Sequence, residues 1–211
     1  MRSEKISFPS GQGSLEGLYQ NQSKTKAVVI THPHPLYGGD MFNPVVEAIT
    51  TAYEKCDFTT LRFNFRGTGK STGTFANGIG EQDDVMAAVA YLNDLGFAEI
   101  HLSGYSFGAW VNAAVLQDPD RLSVSQLTMV APPVAFMEFK PGTHLPTLST
   151  VVAGSEDEIA PPSLIQPLIG QWNPSARFTV IQGADHFFFG YLDELVIELT
   201  QSLRLPKASK I

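Results

Sequence analysis

The chain has 211 residues, 43% hydrophobic and 10% aromatic, which suits one domain spanning residues 1–211 with a substantial core. Its formal net charge of −7 comes without any cluster of Lys and Arg, which argues against nucleic acid as a main partner. Cys56 is the single cysteine, excluding an intrachain disulfide and a cysteine-based zinc site and favouring a reducing compartment.

The start, Met1-Arg2-Ser3-Glu4-Lys5, has no apolar leader, and no run approaches the ~20 apolar residues of a membrane helix, so a soluble, cytoplasmic protein is expected. Residues 6–8 and 15–19 read as short strands of an antiparallel hairpin, joined by the turn Pro9-Ser10-Gly11-Gln12-Gly13. The apolar run 27–31 reads as a strand buried on both faces. It enters His32-Pro33-His34-Pro35-Leu36-Tyr37-Gly38-Gly39, a loop rich in helix and strand breakers. Asn43 as cap and Pro44 behind it open a helix that ends near Lys55. The next strand, 58–65, leads into Asn64-Phe65-Arg66-Gly67-Thr68-Gly69-Lys70-Ser71. A helix over 81–95 carries Glu81, Asp83 and Asp84 at its positive end and Gly96 at its C-cap.

A strand at 99–103 and a helix at 107–116 flank Gly104-Tyr105-Ser106-Phe107-Gly108, a G-x-S-x-G pentapeptide. Residues 126–130 and 148–153 are further strands, the second followed by Gly154-Ser155-Glu156-Asp157-Glu158. Pro161-Pro162 start a helix reaching about residue 169, and 177–181 is the last strand. Gly183-Ala184-Asp185-His186 follows it, then a closing amphipathic helix over 191–203 and a basic tail, 204–210, that reads as a solvated terminus. Strands alternating with helices predict a mainly parallel sheet of about eight strands with helices on both faces. Ligands collect at the carboxyl ends of such strands, and every breaker-rich motif of this chain falls at one.

The pentapeptide has a mechanical reading. A serine hydroxyl becomes a useful nucleophile when a sharp strand-to-helix turn lifts it clear of the backbone and a base meets it. The turn crowds positions two before and two after, where Gly104 and Gly108 stand. His186 is placed to act as the base and Asp157 to orient it; the order Ser106, Asp157, His186 is that of the Ser-Asp-His arrangement. Glu156 and Glu158 read as solvated or helix-capping, and Asp185 as a weaker rival to Asp157. An oxyanion hole needs two backbone N–H groups, and Phe107, next to the nucleophile, supplies one.

On these four pieces, the 32–39 loop, the 64–71 segment, the Ser106 elbow and the ordered Asp157 and His186 loops, the chain resembles the α/β-hydrolase superfamily over nearly its whole length. Within it the chain is similar to a small, nearly capless, dienelactone-hydrolase-like group carrying a His-Pro-His-Pro-Leu-Tyr-Gly-Gly loop. Dienelactone hydrolases proper use cysteine at the elbow, so Ser106 does not imply lactone hydrolysis. The resemblance implies the second oxyanion N–H at His34, with Leu36 and Tyr37 as alternatives; Pro33 and Pro35 have no N–H. It also implies that caps enter after the 126–130 strand. Here the 131–146 segment is short, and its Phe136, Met137 and Phe139 either form an apolar flap or pack on the body.

The expected activity is hydrolysis of a small-molecule acyl ester or thioester, with no metal or organic cofactor. Phe136, Met137 and Phe187 are the candidate substrate contacts. A non-catalytic binding module on the same fold is the alternative from another class, opposed by the intact set of triad residue types. An amide or peptide hydrolase is the other, opposed by the lack of room for a substrate-filtering domain. Other motifs take structural readings. Gly67-Thr68-Gly69-Lys70-Ser71 imitates a phosphate loop, but Asn64 replaces the required first glycine. Arg66 reads as structural, and the His32/His34 pair as loop structure rather than a metal site. Phe187, Phe188 and Phe189 read as packing, His101 and His144 as surface or strand-end residues, and Cys56 as small and partly buried. Tyr105 has no assigned role.

Overall fold

The computed structural model describes residues 3–11, 13–118 and 120–205; Gln12 of the predicted turn and the basic tail from Pro206 onward lie outside the described residues. The predicted hairpin is β1 (Glu4–Ser10) and β2 (Gly13–Gln20), each longer than its apolar kernel. There follow β3 (Lys26–Thr31), α1 (Pro44–Glu54), β4 (Thr59–Phe63), α2 (Gly80–Asp94), β5 (Glu99–Tyr105) and α3 (Phe107–Leu116). The rest is β6 (Gln126–Val130), β7 (Leu148–Gly154), α4 (Pro162–Trp172), β8 (Arg177–Ile181) and α5 (Leu192–Arg204).

Residues 27–31 of β3 are all buried, which demands cover on both sides of the sheet. That cover comes from α1 packed with α5 and from α2 packed with α3. The strands lie in the order β1-β2-β4-β3-β5-β6-β7-β8. β1 with β2 and β2 with β4 pair antiparallel, and the remaining pairings are parallel. β5 is therefore central. Loops leaving β3 and β4 emerge on one side of its carboxyl end, and loops leaving β6, β7 and β8 on the other. No helix among the described residues is long and apolar enough to cross a membrane.

Local signals behave as their chemistry predicts at α1, where the Asn43 side chain accepts the Val45 N–H at 2.9 Å. The acidic start of α2 differs from its expected role. Glu81 and Asp84 are fully buried. Glu81 accepts the N–H groups of Ala76 at 2.8 Å and Gly78 at 2.7 Å, so it fastens the turn entering its own helix. Asp84 takes the Arg66 guanidinium at 3.0 and 2.8 Å and the Ser10 hydroxyl at 2.9 Å, tying the loop after β4 to α2 and β1. Asp83 alone of the three is exposed. The three-residue spacing of Glu81 and Asp84 puts them on the face shared with Val85 and Ala88, a signal that outranks the helix dipole.

β4 ends two residues early because Phe65 has already turned to donate its N–H to His32 Nε2 at 3.0 Å. The phosphate-loop mimic is stitched to β2, with the Glu16 carboxylate accepting from the Lys70 N–H and the Asn64 side-chain amide. His101 is buried within β5 against the rings of Tyr53 and Phe58, rather than at the surface. His144 is exposed and Cys56 is buried at the end of α1.

Candidate active site

β5 continues through Gly104 and Tyr105, so the elbow is Ser106 alone, at φ 53° and ψ −118°. This conformation is unfavourable for a residue with a Cβ and persists because its surroundings impose it. The Ser106 N–H is held by the Val130 carbonyl of β6 at 2.9 Å. A Cβ on Gly104 would lie 2.5 Å from Thr31 Oγ1, and one on Gly108 would lie 2.6 Å from the same atom. The two glycines therefore let the elbow press against the end of β3.

Three strand ends converge on this turn. His186 Nε2 is 3.0 Å from Ser106 Oγ, and His186 Nδ1 is 2.8 Å from Asp157 Oδ2. Since a carboxylate only accepts, Nδ1 carries the proton and Nε2 is left to accept from the serine hydroxyl. The other oxygen of Asp157 accepts the N–H groups of Ile159 at 2.8 Å and Ala160 at 2.7 Å, which holds the carboxylate in place. The loops carrying Asp157 and His186 are laced together by Ser155 N–H to Ile181 O at 2.9 Å and Glu156 N–H to Ala184 O at 3.0 Å. A side chain at Gly154 would strike the Ala184 carbonyl, so the glycine permits this approach. Asp185 is otherwise engaged: its Oδ1 accepts from the Phe187 N–H at 3.0 Å and the Phe189 N–H at 3.2 Å. Glu156 and Glu158 are exposed.

Among the described residues, the N–H groups of Phe107 and His34 form no hydrogen bond. The alternatives are spent within their own loop. The Leu36 N–H goes to His34 Nδ1 at 3.2 Å and the Tyr37 N–H to the His34 carbonyl at 3.1 Å. The His34 ring lies 4.8 Å from that of Phe107, bringing the loop after β3 against the elbow. His32 is buried and neutral. Its Nδ1–H donates to the Pro33 carbonyl at 2.6 Å, its Nε2 accepts from Phe65, and burial pushes its pKa down to about 4. No group of three or more metal-ligating side chains occurs among the described residues.

Two residues around Ser106, His186 and Asp157 had no role legible in sequence. The Tyr105 hydroxyl donates to the His186 carbonyl at 2.9 Å, and the two rings are 5.3 Å apart. Tyr105 lies beside the nucleophile in sequence and reaches across to the histidine loop in space. Trp110, one turn into α3, donates Nε1–H to the Glu138 carbonyl at 2.8 Å and so pins the short segment after β6. That segment is also tied to the acid loop by the Ala135 N–H to Ile159 O bond of 3.2 Å.

Met137 packs against the core, while Phe136 stands 75% exposed. The three phenylalanines after His186 do not all pack. Phe188 is buried with φ 52°, and this left-handed residue throws its neighbours outward, leaving Phe187 64% and Phe189 86% exposed. The Phe187 ring lies 5.6 Å from that of His186.

No protein-family model matches the chain. It is 32% identical over 196 residues to a functionally uncharacterised protein of Rickettsia prowazekii, covering 87% of this chain and 82% of that one. Among solved structures it is similar to an α/β serine hydrolase homologue from Coxiella burnetii. That match has TM-score 0.87 and 36% identity, over 96% of this chain and 98% of the other. It is also similar to a lidless α/β serine hydrolase from Xanthomonas campestris, with TM-score 0.86 and 27% identity over 99% and 97% of the two chains.

Proposed function

The chain belongs to the α/β-hydrolase family, and from that membership we propose that it is a serine hydrolase cleaving carboxylic esters through an acyl-enzyme on Ser106. The observation that carries the reading is the connected Ser106–His186–Asp157 relay, at 3.0 and 2.8 Å, assembled from three different strand ends. His186 Nε2 takes the hydroxyl proton as Ser106 Oγ attacks the ester carbonyl. Asp157 stabilises the imidazolium. The unspent N–H groups of Phe107 and His34 receive the developing oxyanion. The imidazolium returns its proton to the departing alcohol, and His186 then activates water to release the acid. Thioesters follow the same steps with a thiol as leaving group. The acyl group lies toward Phe187, Met137 and Phe136, on the aromatic side of the elbow.

The test is labelling by a fluorophosphonate together with turnover of a panel of acyl esters. Labelling is expected on Ser106, and Ser106→Ala should lose about 10⁴-fold or more in turnover. Asp157→Asn should lose at least about hundredfold, because the imidazole would be held in the wrong tautomer. An unlabelled Ser106, with ester turnover unaffected by Ser106→Ala, favours the binding-module reading instead.

A further inference from the structure

A groove of about 420 Å³ lies between the loops leaving β3 and β4. Pro35, in its wall, follows His34, and the ring of Phe75, also in its wall, lies 4.9 Å from the His34 ring and 5.8 Å from the Phe107 ring. β3 and β4 are on one side of β5 and β6 to β8 on the other, so the groove and the exposed phenylalanines flank Ser106 from opposite sides.

The groove's chemistry is unlike that of the aromatic side. Five of its eleven lining residues are glycines, Gly38, Gly39, Gly67, Gly69 and Gly73. A glycine has little but its peptide groups to present, and the N–H groups of Gly38, Gly39 and Gly67 are already held by the carbonyls of Pro35, His34 and Thr72. Among the described residues, the N–H groups of Gly69, Gly73 and Thr74 and the hydroxyls of Thr68 and Thr74 form no hydrogen bond. The single charged side chain in the lining is Asp40, one oxygen of which accepts the Phe42 N–H at 2.8 Å. No Lys or Arg lines the groove to receive a phosphate or carboxylate. Leu36 and Phe75 add apolar wall.

Resting on the ester-hydrolase reading, we infer that this groove is the leaving-group subsite and takes an uncharged, polyhydroxylated alcohol of glycerol or monosaccharide size. The peptide groups and threonine hydroxyls match the hydroxyls of such an alcohol, while Leu36 and Phe75 match its C–H faces. Asp40 disfavours anionic head groups. The volume is at the small end for ligand sites, ample for a monosaccharide. The substrate is then two-sided, with an apolar acyl group toward Phe187 and a hydroxylated alcohol in the groove. After acylation, the proton from His186 leaves with that alcohol.

The experiment compares kcat/KM for esters that share one acyl group, butyryl, and differ in alcohol: ethanol, glycerol, glucose and the anionic glycerol phosphate. The glycerol or glucose ester is expected to exceed the ethyl ester by tenfold or more and the phosphorylated ester by more still. Thr74→Val and, separately, Thr68→Val should shrink the preference for the hydroxylated alcohol over ethanol by about five- to tenfold. A wild-type ratio within twofold of one, or a ratio that neither variant moves, overturns the subsite while labelling of Ser106 leaves the hydrolase standing. A preference for the phosphorylated ester overturns it as well. Absence of fluorophosphonate labelling overturns both.

Discussion

Ser106 holds its place at a φ of 53° that a side chain with a Cβ resists, so the elbow stores strain. Ser106→Gly is expected to be about 1 kcal/mol more stable than Ser106→Ala in urea unfolding, although both lack turnover. Equal stabilities would mean that the elbow is not strained. The Tyr105 hydroxyl donates to the His186 carbonyl through a buried bond of 2.9 Å, which gives it the geometry to position His186. Tyr105→Phe leaves that carbonyl unpaired, with an expected loss of about 1–2 kcal/mol in stability. It should also lower kcat for a good ester more than it changes KM; an unchanged kcat would leave Tyr105 with a structural role only.

His32 gives a pH dependence of stability with a definite sign. Its pKa is lowered from 6.5 to about 4 by burial, so between these values the unfolded chain binds a proton that the folded chain does not. Stability is therefore greatest above pH 6.5 and falls as the pH drops toward 4, by about 3 kcal/mol in all from this group. Urea midpoints measured across this range should decline less in His32→Gln than in the parent. Parallel declines would reject the assignment.

At the scale of elements, the site is held by struts between loops rather than by any one loop. The Arg66–Asp84 pair joins the loop after β4 to α2, with the Asp84 side chain 1% exposed and that of Arg66 23%. Asp84→Ala removes the buried partner of a guanidinium and of the Ser10 hydroxyl, and should destabilise by about 3 kcal/mol in thermal or urea unfolding. Trp110 ties α3 to the 131–146 segment, whose short length leaves the elbow without a cap domain. The left-handed Phe188 performs the opposite service, turning two apolar side chains out of the core beside the histidine.

At the scale of the molecule, the sheet is one continuous eight-stranded layer; β5, which carries the elbow, is interior to it, while the His186 loop leaves the edge strand β8. A single cooperative unit is the expectation. Trp110 beside the elbow and Trp172 packed on Phe139 at 4.7 Å lie on different helices, so their fluorescence samples separate parts of the chain. Fluorescence and far-ultraviolet circular dichroism should report one coincident unfolding midpoint. Two separated midpoints would divide the chain into more than one unit.

The order of strands and helices, the elbow, and the Asp157 and His186 loops were legible in the chain itself. Each rests on local chemistry: apolar runs of strand length, breakers at their ends, and residue types that nucleophilic catalysis requires. Which polar groups turn inward was not legible from such rules. Glu81, Asp84 and His101 are polar residues whose burial depends on partners distant in sequence, as with Asp84 and Ser10. The roles of Tyr105 and Trp110 likewise depend on carbonyls that only the fold brings near. The two flanks of Ser106, a glycine-lined groove and an aromatic edge, follow from strand order in space. Local patterning specifies which strands and helices form; the crossovers between them decide which loops become neighbours.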